Sequence, residues 1–345
     1  MGGEGIDRSF DFDPVDRETW RERVEADAGD DGIETLFQTL DGGLLIRPLY
    51  TREDVPSRET GWPGAPPFVR GAHERPGWRI VHEASGDDAE AILASAARAR
   101  SGGADAVLLG PRAFDHLDAA ALRAIEGPLI ADPGADALAW LGALASVEAA
   151  ELRFDPLGAL ARTGRLPYGP ETAWRALREL ATDGRRVLVD VRPHHEAGAA
   201  PADEIAFALA TGLEYLRALG DRGHPLADAP RRMTFAFPCD TDLFVAIAKL
   251  RAARLTWSKA LCAIGVDGPG QGMEIHAFSS RRAHSVLEPS VNVLRGTTSA
   301  FAAMVGGAQA LTLDPHEPTA RAERLARNTQ LVLRWESHLE RVVDP

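Results

Sequence analysis

The chain has 345 residues, 45% of them hydrophobic and 26% charged, with a formal net charge of -13. That composition fills a sizeable core and is not that of a disordered chain, and the negative balance opposes nucleic acid or an anionic membrane as a partner. Lys249 and Lys259 are the only lysines. Both fall inside one amphipathic helical pattern, which disfavours Schiff-base chemistry, and Cys239 and Cys262 are too few for a disulfide framework or a cysteine-rich zinc site.

The acidic, polar start MGGEGIDRSFDFD has no apolar leader core, and no run reaches the ~18 apolar residues of a membrane span, so a cytoplasmic protein is expected. Residues 1–77 read as an extended arm that wraps its own domain or reaches a partner. Within it a helix is predicted over 17–26 and a short strand over 44–46. The stretch Trp62-Pro63-Gly64-Ala65-Pro66-Pro67-Phe68 is excluded from helix interiors and central strands, because each proline removes a backbone donor.

From Trp78 onward, apolar or β-branched runs recur at 78–84, 106–110, 128–132, 149–155, 186–192, 232–238, 273–279 and 310–314, separated by helical segments rich in alanine, leucine and arginine. In the fifth segment Ile205, Leu209, Leu213 and Leu216 share one helix face. Several segments end at glycine, as at Gly103, Gly184, Gly223 and Gly265. A last helix over 319–341 completes the eighth unit. Strands alternating with helices imply parallel order and eight units imply closure, so residues 78–345 are predicted to form a (β/α)8 TIM barrel of the α/β class. An open doubly wound sheet is the alternative, and the absence of G-x-G-x-x-G after the first strand weakens its dinucleotide form.

Barrel enzymes carry their reacting groups at the C-terminal ends of the strands. That rule selects His82 and Glu83, Asp132, Arg153 and Asp155, Arg192 with His194, His195 and Glu196, Cys239 and Asp240, Ser279 to Arg282, and Asp314 with His316. The His194-His195-Glu196 run suits acid-base or metal chemistry, although adjacent imidazoles point apart and no H-x-H or H-E-x-x-H spacing is present. Asp155 before Pro156 reads as a helix cap. Arg70, Arg75 and Arg79 flank the first strand as phosphate candidates, or as solvated surface. Lys249, Arg251 and Arg254 read as surface charge, Cys262 as core, and Cys239 as facing a ligand. Small or polar strand residues (Ala149, Ala236, Ala277, Thr234, Thr312) suggest an open channel down the axis.

Nine segments, in family order, together resemble the barrel of the methylmalonyl-CoA mutase family. They are PLYTRED at 48–54, PGAPPFVRG at 63–71, EAGA at 196–199, LATGLEY at 209–215, KLRAARLTW at 249–257, NVLRGT at 292–297, GGAQ at 306–309, ARNTQ at 326–330 and VVDP at 342–345. The resemblance implies a barrel threaded by the pantetheine arm of coenzyme A, with a cobalamin domain over the strand C-termini. It makes Arg70, Arg75, Arg79, Ser279 and Arg281 the candidates for contacting an acyl-CoA.

The departures from the family's catalytic pattern are specific. No tyrosine stands in the short loop 72–75, Pro193 takes the place of the catalytic histidine, Arg153 that of a glutamine, and Thr163 that of the carboxylate-gripping arginine, with Arg162 beside it. The runs DPLGALAR at 155–162 and DVRPHH at 190–195 resemble the family's small, non-catalytic subunits, and the cobalamin motif D-x-H-x-x-G is missing. Small subunits of this family normally keep a degenerate cobalamin-like domain at the C-terminus; with the motif missing here, no C-terminal cobalamin-binding domain is expected, and adenosylcobalamin is expected only through a partner, either a catalytic large subunit or a separate cobalamin-binding subunit. Two alternatives remain at this point: an active barrel of a split mutase using Arg153, Asp155, Arg192, His194 and His195, and a metal-dependent hydrolase.

Overall fold

The computed structural model describes residues 15–29, 32–40, 43–55, 60–74, 77–147, 150–166, 168–182, 185–220 and 228–341. The chain separates into two compact units, Met1–Arg58 and Glu59–Pro345. In the first, a helix spans Arg17–Ala28, with the Asp16 side chain accepting from the Thr19 amide at its N-terminus. Gln38–Thr39 pairs antiparallel with Leu45–Ile46. Asp54 holds this unit together by accepting from the Thr51 amide at 2.8 Å and from Arg47 at 2.5 Å and pairing with Arg17 at 3.3 Å, and these donors hold its carboxyl near 2.

The second unit is a closed, all-parallel barrel whose eight strands we number β1 (Arg79–Glu83), β2 (Ala106–Leu109), β3 (Leu129–Ala131), β4 (Ala150–Phe154), β5 (Arg186–Asp190), β6 (Met233–Cys239), β7 (Ile275–Ser279) and β8 (Ala310–Thr312). β8 closes the ring by pairing Leu311 with both Ile80 and Ala277. Every predicted strand is present, and the open-sheet alternative is excluded. The outer ring comprises α1 (Ala89–Ser101), α2 (Ala119–Arg123), α3 (Ala137–Ala145), α4 (Pro156–Thr163), α5 (Gly169–Thr182), α6 (Arg192–Glu196), α7 (Pro201–Gly220), α8 (Leu243–Ala263), α9 (Asn292–Val305) and α10 (Ala320–Trp335). The predicted last helix stops at Trp335, and a separate turn follows at Leu339–Arg341.

Strand alternation sorts the side chains into two layers. Ile80, Val107, Leu109, Leu152, Phe154, Phe235, Phe237 and Leu311 face the helices, whereas Val81, Ala106, Leu108, Ile130, Leu188, Ala236, Phe278 and Ala310 fill the barrel. Two expectations fail on this parity. Cys239 and Ala277 belong to the helix-facing layer, so Cys239 meets no ligand space and Ala277 does not line the axis. The Cys239 thiol is fully buried, and that burial pushes it up to about 12. Cys262, expected in the core, is exposed.

Lys249 and Arg254 are buried and not surface charges. Lys249 donates at 2.7 Å to both Glu204 Oε2 and the Pro238 carbonyl at the end of β6. Arg254 gathers carbonyl oxygens from two chain segments: those of Phe68 and Val69, each at 2.9 Å, and those of Gly306 and Gly307 beyond the end of α9. A cation at a helix C-terminus satisfies carbonyls that have no partner within the helix. Three of the sequence segments quoted above thus meet on one guanidinium.

Candidate functional site

The barrel has a cavity at each end and a plug between them. At the N-terminal end, about 880 Å³ is lined by residues including His73, Trp78, Arg79, Glu274, Gln309 and Arg334. At the C-terminal end, about 240 Å³ is lined by Arg162, Arg192, Pro193, Glu196, Pro238, Phe278, Ser279, Arg281 and Asp314. The second volume lies below the ~300 Å³ at which sites for small organic ligands begin.

Between the two ends the interior is filled. Arg153 and His276, 1% and 0% exposed, face each other from β4 and β7 with Arg153 Nη1 2.7 Å from His276 Nδ1. A guanidinium only donates, so Nδ1 accepts, the proton sits on Nε2, and Nε2 donates to Thr312 Oγ1 at 2.8 Å. Burial, reinforced by Arg153 and Arg192, drives His276 well below the ordinary histidine range and keeps it neutral. Arg153 Nε donates to Glu151 at 3.0 Å, and Arg79 and Arg186 lie 3.7 and 3.6 Å from the same carboxylate. Burial opposes ionisation of Glu151, but the three arginines outweigh it and hold its carboxyl below the usual range. Above this layer Phe278 stacks on His276, and the Arg192 guanidinium lies 4.0 Å from the Phe278 ring centroid. The small residues Thr234, Ala236 and Thr312 therefore do not leave the axis open, because long side chains from β4 and β7 occupy the space they vacate.

At the C-terminal mouth each cation is matched by carboxylates. Asp190 takes Arg192 at 2.8 Å and Arg162 at 3.0 Å; burial opposes its charge, yet these arginines keep its carboxyl low. Arg281 is bidentate on Asp314 at 3.0 and 2.7 Å and lies 3.6 Å from Glu83. Burial, with the neighbouring Asp314 charge, raises Glu83. Ser279 Oγ accepts from the Asp314 amide at 2.8 Å.

Of the strand-end candidates, Arg192, Glu196, Ser279, Arg281 and Asp314 are brought together around the C-terminal cavity, whereas Arg153, Asp155, His194 and His195 do not line it. Asp155 caps α4 as expected, accepting from the Gly158 amide at 2.8 Å, and it also takes the Asp190 amide and the Tyr215 hydroxyl. Burial, with Asp190 close by, lifts its carboxyl to about 7. His194 turns outward and stacks on Phe207 at 4.2 Å. His195 turns inward, with Nδ1 2.8 Å from Glu204 and Nε2 2.7 Å from Ser280 Oγ. Among the described residues no group of three His, Cys, Asp or Glu could hold a metal ion.

The acyl-CoA candidates are divided between the two ends. Arg79 lines the N-terminal cavity, while Ser279 and Arg281 line the C-terminal one. Arg70 lies over the Trp62 ring at 5.8 Å, and Arg75 falls outside the described residues. Sequence reasoning missed His276, whose signal was its phase: within MEIHAFS it alternates with Glu274 and Phe278 and so faces inward.

A family model described as methylmalonyl-CoA mutase matches residues 151–345. The chain belongs to the methylmalonyl-CoA mutase family. It is 37% identical over 99% of its length to a protein named methylmalonyl-CoA mutase small subunit from Streptomyces virginiae, covering 61% of that relative. It is 34% identical over 88% of its length to the protein of the same name from Propionibacterium freudenreichii subsp. shermanii, covering 52% of it. A methylmalonyl-CoA mutase from Cereibacter sphaeroides is 29% identical over 96% of the chain, which covers 55% of that protein. The chain thus spans about half to three-fifths of the length of these relatives.

The mutase family depends on adenosylcobalamin, and the described residues do not form a seat for a corrinoid. The mouth arginines are neutralised by Asp190, Asp314 and Glu83, and the inward imidazoles His195 and His276 are held by protein partners. The family segments within the barrel instead act as braces. Gly212 of LATGLEY lies where a Cβ would come within 2.9 Å of Trp257 from KLRAARLTW, and Gln330 of ARNTQ accepts from the Trp78 indole at 3.3 Å. No helix among the described residues is long and apolar enough to cross a membrane.

Proposed function

We propose that this chain is the small-subunit-like barrel of an adenosylcobalamin-dependent acyl-CoA mutase, a non-catalytic partner of a catalytic mutase chain that carries the cofactor. The observation that carries this reading is the filled axis: a pantetheine arm needs an open barrel, and here Arg153, His276, Thr312 and Phe278 occupy it in a hydrogen-bonded, stacked layer. The bracing contacts of the family barrel are kept, while Pro193 and Arg153 stand where its reacting groups would be. The small-subunit names of two relatives support a partner chain. The division into a 1–77 arm that touches the partner and a 78–345 barrel is part of the same proposal.

Three of the five residues of the active split-mutase alternative are engaged by protein partners away from the cavity, while Arg192 lines it. Arg153 is bound to His276 and Glu151, His194 to Phe207, and His195 to Glu204 and Ser280. The hydrolase alternative has no ligand set among the described residues. The test is turnover: the purified chain with adenosylcobalamin and methylmalonyl-CoA gives no product, alone or with a cobalamin-binding chain that lacks its own barrel, and it forms a complex with a catalytic mutase chain. Sustained isomerisation by this chain alone, or with that cobalamin chain, overturns the proposal.

A further inference from the structure

Helices α8 and α9 pack side by side on the barrel wall. Together these 21-residue and 14-residue helices contain no aspartate or glutamate, in a chain with 51 acidic residues. Their sheet-facing sides are buried as in any barrel, yet their outer sides carry exposed apolar residues as well. On α8, Phe244 is 79% exposed, and Ala248 and Leu255 follow it on the same face. On α9, Leu294 is 69% and Phe301 36% exposed, seven residues apart on one face, and Val291 in the turn before the helix stands three residues ahead of Leu294. Large apolar side chains clustered at the surface mark a contact site for a partner.

The charges that these two helices turn outward have one sign, as with Arg295, half-buried, and Lys259, exposed. A two-fold contact between identical copies sets the same patch against itself and brings like charges together, in molecules that already carry -13 each. A different chain with an apolar centre and carboxylates at its rim avoids both penalties. The size also fits: at 1.5 Å rise per residue and ~10 Å per helix, the face covers on the order of 600 Å², close to the ~800 Å² each partner gives to a standard interface.

We propose that the α8–α9 exterior is the seat of the partner mutase chain, which presents there an apolar surface with an acidic rim. This rests on the reading of the chain as a mutase subunit and adds where the partner sits. The test uses the full-length chain and the catalytic mutase chain of the same organism, with affinity measured by surface binding and assembly state by sedimentation. Phe244→Glu and Leu294→Glu each weaken association at least tenfold, while Ala97→Glu, on the exposed side of α1, binds as the wild type does. All three melt with the wild type when isolated, because the substituted side chains are exposed.

If both face variants bind like the wild type, the seat lies elsewhere and the subunit reading survives. If the wild type itself fails to bind the catalytic chain, the subunit reading falls. If the wild type forms a homodimer that Leu294→Glu abolishes, the occupant is a second copy and the proposal is overturned.

Discussion

Lys249 is the residue whose sequence reading and structural role differ most, and Lys249→Met tests that role. The ammonium donates at 2.7 Å to Glu204 Oε2 and at 2.7 Å to the Pro238 carbonyl, with Lys249 4% and Glu204 0% exposed. Methionine keeps the stem and removes both bonds. Glu204 is then left buried with His195 as its remaining side-chain partner. Deleting one member of a buried pair costs about 3–5 kcal/mol, because the other charge stays in low dielectric without compensation. Replacing both, in Glu204→Gln with Lys249→Met, removes the stranded charge; what remains is about 1–3 kcal/mol for the carbonyl left unpaired. Urea unfolding at pH 7 of the two single variants and the double closes the cycle. A Lys249→Met cost below about 1 kcal/mol, or a double variant as unstable as the sum of the singles, refutes the coupling.

Asp155→Asn changes the pH dependence of stability. The folded carboxyl sits at about 7 against an ordinary aspartate value of 3.8, so the stability tied to its protonated form is fully present below pH 4 and is lost as pH rises through 7. The variant flattens this decline, by an amount on the order of 2–4 kcal/mol between pH 4 and 8, read from unfolding curves across that window. Gly212→Ala overpacks against Trp257 at 2.9 Å and Phe235 at 3.2 Å and destabilises by about 1–3 kcal/mol in the same denaturation assay. In the native state a thiol reagent labels Cys262 and leaves Cys239 unreacted until denaturant is added; labelling of both thiols at equal rates contradicts the assigned strand parity.

Much of the candidate site was legible and some was hidden, for identifiable reasons. Asp155 followed by Pro156 announces a helix cap because the signal lies within four residues, and the structure adds only that Tyr215 and the Asp190 amide share the carboxylate. His194 and His195 were readable as divergent, since neighbours on a helix turn cannot share a target. The plug was not readable. Arg153 and His276 are 123 residues apart, and which strands face each other across a closed barrel is a property of the ring and not of either segment.

By itself the sequence determined the periodic elements, their parallel order, the closure into eight units and the family, because period, turn chemistry and short motifs are local. The tertiary structure decided which way each strand's odd and even residues point, and so moved Cys239 and Ala277 to the helix layer. It also decided that Lys249 and Arg254 are interior braces, because a cation's burial depends on the carbonyls and carboxylates that distant segments bring to it. An axis that small strand residues suggest is open is closed by two long side chains reaching across it, and only the assembled ring fixes that distance.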